Sequence, residues 1–221
     1  PVLDKGILYV GSNDSTLYAF DLATDKLLWE YPGRTGVRGS VAIKDSIVCY
    51  TDGRSFIILN RHSGLEILKF DYDTLTSAEY LDPWDYHSGT PLITGDNIFF
   101  GSTTGTLFGY NLSKGEILLQ FTTVDSAPIR CTPVEHKGIV YVGDWNGRIY
   151  ALDTGSKDTL WTYKTYEEQP YPTFGQINTR FAIKDSLLFF GARNPTLHVI
   201  NINTGALAWK HYEEDGGWIS G

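Results

Sequence analysis

Two arginines, two serines and an asparagine share one position in a segment that recurs five times along this 221-residue chain: Arg38, Ser88, Arg130, Asn178 and Ser220. Arginine presents a planar fork of donors that grips a carboxylate or phosphate with two parallel hydrogen bonds, and amide and hydroxyl groups fix orientation. Lined up around one funnel, Arg38, Ser88, Arg130 and Asn178 form a candidate site for a small anion. Their plainer role is pairing with acidic neighbours or trapped water. One residue earlier the column reads Val37, His87, Ile129, Ile177 and Ile219, an apolar series suited to a packed seam. His87 breaks that series, and a single histidine in an apolar setting reads first as a hydrogen-bonded structural residue. No catalytic residue is assigned.

Other chemistry is sparse. Cys49 and Cys131 lie far apart, with no CxxC or Cys/His spacing, and read as two buried thiols that act as small hydrophobes. No metal site is expected from them. There is no phosphate-cradling glycine loop before a helix, no HExxH and no GxSxG. The Asn13-Asp14-Ser15 and Asn111-Leu112-Ser113 sequons matter only in a glycosylating secretory pathway. A formal net charge of −8 disfavours nucleic acid, whose binding is driven by clustered lysine and arginine. No apolar run approaches the ~18 residues of a membrane span. Methionine is absent, position 1 included, so a missing signal peptide carries no information about targeting.

A second set of residues points to recognition. Three connecting segments are long or aromatic, at residues 71–86, 164–174 and 211–218. With Trp145 in a turn on the same side, one face is expected to carry Tyr80, Trp84, Tyr86, Trp145, Tyr166, Tyr171 and Trp218 among carboxylates. Exposed aromatics on loops mark interaction surfaces, and the alternative is that they fold down over the neighbouring strands.

The elements that position both sets come from an internal repeat, seen near residues 5–31, 45–70, 96–121, 137–163 and 185–212. Each copy reads as three strands: an apolar run such as ILYVGS, a tight turn, a run such as TLYAFD, a second turn, and a third run with a bulky anchor. The anchors are Trp29, Leu68, Leu119, Trp161 and Trp209, spaced by 39, 51, 42 and 48 residues, so length variation falls in the connections. A fourth strand precedes each later copy, in VRGSVAI, HSGTPLI, IRCTPVE and NTRFAI, and the terminal GWISG is read as another. Four antiparallel strands per ~45 residues make one propeller blade. The fold class expected is all-β, a β-propeller of four-stranded antiparallel blades with five visible repeats in a single domain over 1–221.

The segments YVGSNDSTLYAFDLATDKLLW and YVGDWNGRIYALDTGSKDTLW resemble the PQQ-like propeller repeat, and the resemblance covers essentially the whole chain. It implies that Trp29, Trp161 and Trp209 are structural and dock between adjacent blades, beside small residues such as Ala19 and Ala151. The family includes quinoprotein dehydrogenases, the outer-membrane assembly lipoprotein BamB, and propellers attached to kinases and phosphoesterases, so the fold alone does not name a job. Quinoprotein dehydrogenases hold PQQ with an adjacent cysteine pair, a stacking tryptophan and a calcium site. This chain has no adjacent cysteines and no carboxylate-rich inner-strand cluster, so neither PQQ nor calcium is expected.

The reading that follows is an interaction scaffold for a protein or peptide, exported to the bacterial periplasm or the outer membrane, or covalently linked to another domain. The alternatives are a divergent PQQ-dependent dehydrogenase and a binder of small anions in the funnel. Joined head to tail, the two ends make one ordinary junction, so residues 218–221 are expected to complete the blade begun by Pro1 and close a five-blade ring. The competing arrangement is part of a seven- or eight-blade ring.

Overall fold

A computed structural model describes residues 1–72, 88–166, 176–193 and 196–213. Within them, twenty strands form five antiparallel sheets of four. Blade 1 comprises β1 (Val2–Asp4), β2 (Ile7–Gly11), β3 (Thr16–Asp21) and β4 (Lys26–Pro32). Blade 2 comprises β5 (Ala42–Lys44), β6 (Ile47–Thr51), β7 (Ser55–Asn60) and β8 (Glu66–Asp71). Blade 3 comprises β9 (Leu92–Thr94), β10 (Asn97–Gly101), β11 (Thr106–Asn111) and β12 (Glu116–Thr122). Blade 4 comprises β13 (Val134–His136), β14 (Ile139–Gly143), β15 (Arg148–Asp153) and β16 (Thr159–Lys164). Blade 5 comprises β17 (Ala182–Lys184), β18 (Leu187–Ala192), β19 (Thr196–Asn201) and β20 (Leu207–Tyr212).

In every sheet the strands pair in chain order. The three-residue strands lie innermost, where β9 touches both β5 and β13. In blades 2 to 4 the middle strands are apolar on both faces and mostly buried, as in Phe56–Ile57–Ile58–Leu59, because a neighbouring sheet covers each side. The outer strands are largely exposed. The core is therefore a series of seams, running from blade 1 to 2, from 2 to 3, and from 3 through 5.

The phase of the repeat differs from the expectation. The inner strands occupy only the last residues of the predicted segments, for example Ala42–Lys44 in VRGSVAIK. The preceding residues form a loop that crosses from one blade to the next. By the same register Val2–Asp4 is the inner strand of blade 1, paired Val2 to Tyr9 and Asp4 to Ile7. That blade thus has its four strands without residues 214–221, which lie outside the described residues. The apolar character of both loop and strand hid the boundary.

Each outer strand carries a bulge at the same place, between Ala19/Phe20, Ile58/Leu59, Gly109/Tyr110, Ala151/Leu152 and Val199/Ile200 of the facing strand. The residue just before each break faces the anchor: Ala19 faces Trp29 and Ala151 faces Trp161. A bulge adds twist and re-aims a side chain, here turning the indole toward the next blade. Trp29 Nε1 donates to the Arg61 carbonyl at 2.9 Å, and Trp161 Nε1 donates to the Ile202 carbonyl at 2.8 Å. Beneath these rings lie Gly64 and Gly205, where a Cβ would come within 2.7 Å of the indole. Trp209 has no such seat among the described residues. It is 46% exposed and meets Phe189 of its own blade edge-on, because no described blade follows blade 5.

Candidate functional site

The funnel column exists because each crossing loop hooks onto the blade it leaves. The backbone N–H of Val37 donates to the Ser12 carbonyl, that of Ile129 to Ser102, and that of Ile177 to Asp144, at 2.9, 3.0 and 3.2 Å. The three apolar side chains are buried. Ile129 and Ile177 lie where a Cβ on Gly101 or Gly143 would sit, so those strands end in glycine to admit them. The next residue in each loop is Arg38, Arg130 or Asn178.

These residues do not form one ring-shaped cluster. Arg38 is exposed and its Nε donates to Asn13 Oδ1 at 2.9 Å, which ties it to blade 1. Ser88 is half-buried, and its carbonyl lies 2.7 Å from where a Cβ on Gly39 would stand, a backbone contact between loops. Arg130 is 7% exposed and reaches blade 4, where its guanidinium lies 3.9 Å from the centre of the Trp145 ring. Asn178 is half-buried, and its Oδ1 is shielded from water and accepts no hydrogen bond.

Arg130 and Trp145, placed in different sets by the sequence, thus belong to one site. Arg193, 8% exposed, joins them with its guanidinium 5.5 Å from the same ring. Guanidinium groups within ~6 Å of an indole face are attracted by its quadrupole. Backbone bonds assemble the group from three blades: Trp145 N–H to the Pro128 carbonyl at 2.8 Å, and Arg193 N–H to the Gln176 carbonyl at 3.0 Å. The Gln176 side-chain oxygen, Oε1, is also buried and accepts no hydrogen bond. Tyr166 follows Thr165, whose N–H donates to the Gly147 carbonyl at 2.9 Å, so Tyr166 and Trp145 flank one turn. Of the predicted aromatic face, Tyr80, Trp84, Tyr86, Tyr171 and Trp218 lie outside the described residues, as do His87 and Ser220.

Sequence reasoning missed Arg193 and Gln176. A signal was present, since the first turn residue after the second strand reads Asn13, Gly53, Thr103, Trp145 and Arg193 in successive repeats. Trp145 and Arg193 are neighbours in that column.

The electrostatics around the site follow from burial. Asp144 is fully buried, and its carboxylate accepts from the Arg148 N–H and the Tyr150 O–H, each at 2.8 Å. Burial outweighs those bonds and pushes its carboxyl above the usual range. Cys131 is buried against Gly143, which donates to its Sγ at 3.1 Å, and burial pushes the thiol up to about 12. Cys49, in β6, is equally buried and its thiol is raised for the same reason. Both thiols are free, and neither is a nucleophile at neutral pH. Among the described residues no three His, Cys, Asp or Glu side chains gather to hold a metal, and no helix is long and apolar enough to cross a membrane.

Residues 1–211 match the family described as outer membrane protein assembly factor BamB. Outer membrane protein assembly factor BamB of Nitrosomonas eutropha is 26% identical over 172 residues, which are 73% of this chain and 37% of that protein. Quinoprotein ethanol dehydrogenase of Pseudomonas aeruginosa is 32% identical over 81 residues, 36% of this chain and 13% of that protein. Among solved structures, BamB from Moraxella catarrhalis superposes with a TM-score of 0.78 at 14% identity, over 96% of this chain and 63% of that one. A europium-containing methanol dehydrogenase gives 0.77 at 15% identity, over 96% and 50%. The chain spans less than two thirds of each of these proteins.

Proposed function

We propose that this chain, which belongs to the family described as outer membrane protein assembly factor BamB, is a scaffold that binds a protein or peptide and does no chemistry of its own. The observation that carries this reading is the Trp145 turn. A half-exposed indole lies against two mostly buried guanidinium groups on the face where turns and crossing loops meet. Tryptophan and arginine dominate the energetics of protein interfaces, because a fixed aromatic anchor contributes area without much loss of side-chain freedom. The same reading sets the protein outside the cytoplasm at the bacterial outer membrane, in line with the names of its relatives, and allows a linked domain in a longer chain.

A test is affinity capture from an envelope extract with the wild-type chain and with Trp145→Ala. Loss of most of the captured protein, with the melting temperature nearly unchanged, supports the assignment. Equal capture by both proteins removes it from this face.

One observation favours a second reading, the 81-residue match to a quinoprotein dehydrogenase. The residues present do not fit that cofactor. Cys49, in β6, and Cys131, in the loop before β13, are single buried thiols, so they supply no adjacent pair to contact a quinone. A calorimetric titration with PQQ and Ca²⁺ decides: a flat trace retires this reading, and stoichiometric heat restores it.

A further inference from the structure

We propose that the inner strands frame a binding site for a small aliphatic monocarboxylate: Arg180, Thr132 and Thr90 hold the carboxylate, and an apolar wall takes the chain. The site is separate from the Trp145 turn, and the proposal does not rest on the scaffold reading.

The first observation is a cavity where the inner strands converge. It has a volume of about 350 Å³ and draws its apolar lining from Val2 of β1, Ala42 of β5, Val134 of β13 and Phe181 beside β17. That size falls at the lower end of the ~300–1,000 Å³ common for small-molecule sites. Repeat register explains the lining. Val2, Ala42 and Val134 pair with Tyr9, Cys49 and Tyr141, so they hold one position in three inner strands. Two residues earlier the later repeats read Ser40, Thr90, Thr132 and Arg180. An apolar rung thus lies next to a polar one, and Thr90, Thr132 and Arg180 all line the cavity.

The second observation is that the polar rung is rich in donors. The Thr90 N–H donates to Thr132 Oγ1 at 3.1 Å, which leaves the Thr132 O–H to donate in turn. A parallel bridge between Thr132 and Arg180 sets the arginine beside it. Among the described residues the Thr90 hydroxyl makes no hydrogen bond, and the Arg180 guanidinium makes neither a hydrogen bond nor an ion pair. No acidic residue lines the cavity. Arg180 is exposed, so its charge stays hydrated until an anion reaches it. A carboxylate there would take charge-assisted bonds from the guanidinium and the hydroxyls.

The third observation selects the class of anion. One guanidinium balances one carboxylate. A phosphate or a polycarboxylate would leave further charge against Val2, Ala42, Val134 and Phe181, which costs desolvation without a partner. An aliphatic chain instead takes that apolar surface out of water. The wall is also fixed in place, since the Phe181 ring meets Phe190 edge-on at 5.7 Å.

The probe is sodium hexanoate, titrated into the wild-type protein beside hexanamide, acetate and citrate. The Thr132 and Phe181 backbone amide signals are followed in a nitrogen-15 correlation spectrum. Hexanoate is expected to shift both signals saturably and to bind at least about tenfold tighter than hexanamide, acetate or citrate. From acetate to hexanoate, affinity is expected to rise about three- to fourfold per methylene. Added salt is expected to weaken hexanoate, because Arg180 is exposed. Arg180→Gln is expected to abolish the preference for hexanoate over hexanamide, and Arg180→Lys to keep part of it. Equal affinity for hexanoate and hexanamide, acetate or citrate binding as tightly as hexanoate, or no saturable shift at either amide overturns the proposal. The ligand comparison uses the unaltered protein, so misfolding of a variant cannot mimic failure. Capture through Trp145 is a separate readout, so failure of these titrations leaves the scaffold reading standing.

Discussion

Trp29 lies in the seam between blades 1 and 2, 8% exposed, with its N–H on a carbonyl at 2.9 Å and its ring pressed on a glycine. Trp145 sits at a turn, half-exposed, with guanidinium groups from two other segments against its ring. An arginine stands beside each, but the two are differently engaged. Arg61, whose carbonyl receives Trp29, pairs with Asp4 at 2.5 Å and with the Tyr9 hydroxyl at 3.2 Å. The Trp29 N–H is matched by that carbonyl, and the ring works as mortar between the blades. Trp145 stays half-exposed although two guanidinium groups lie against its ring. An aromatic sealed in a seam holds the fold, and one left half-open on a turn is placed to bind.

The largest effect that tests this contrast is on the seam. Trp29→Ala removes a buried indole and its hydrogen bond to the Arg61 carbonyl, so it is expected to cost about 3–5 kcal/mol in urea unfolding, with Trp161→Ala similar. A cost that large for Trp145→Ala would erase the distinction between the two regions.

The next effect concerns the seam between blades 4 and 5. His198 is buried, stacks on Phe190 at 5.2 Å, and shares a hydrogen bond of 3.0 Å with the Tyr163 hydroxyl. Burial, then Lys210 opposite it on β20, pulls its pKa from 6.5 down to about 4. The unfolded chain therefore takes up this proton first as pH falls. Stability is full above about 6.5 and is lost progressively toward 4, by at most about 3 kcal/mol. His198→Phe, which places here the residue blade 3 carries as Phe108, is expected to flatten that part of the pH profile. An unchanged acid slope in the variant would remove His198 as its cause.

The smallest effect sharpens the comparison within a single repeat position. Trp209 occupies the same register as Trp29 and Trp161 yet is 46% exposed. Trp209→Ala is expected to change stability by less than about 1 kcal/mol. A seam-sized loss would mean that Trp209 is seated after all.

Much of the fold was legible before any coordinates. The anchors Trp29 and Trp161 and the buried column Val37, Ile129 and Ile177 emerge from aligning the repeats, because each repeat solves the same packing problem. The phase of the inner strand was not, since the loop preceding it is as apolar as the strand. The exposure of Trp209 was not either: a repeat pattern specifies a seat without saying whether a neighbour fills it. The candidate site was half legible. Arg130 and Trp145 were each singled out, but in two separate sets, because the contact between them joins different columns of the alignment.

The most direct measurement follows the six tryptophan indole N–H signals in a nitrogen-15 correlation spectrum as a captured partner is added. The account predicts that the Trp145 signal, assigned with Trp145→Phe, shifts in a saturable way while those of Trp29 and Trp161 stay in place. A stationary Trp145 signal, or shifts confined to Trp29 and Trp161, would contradict it.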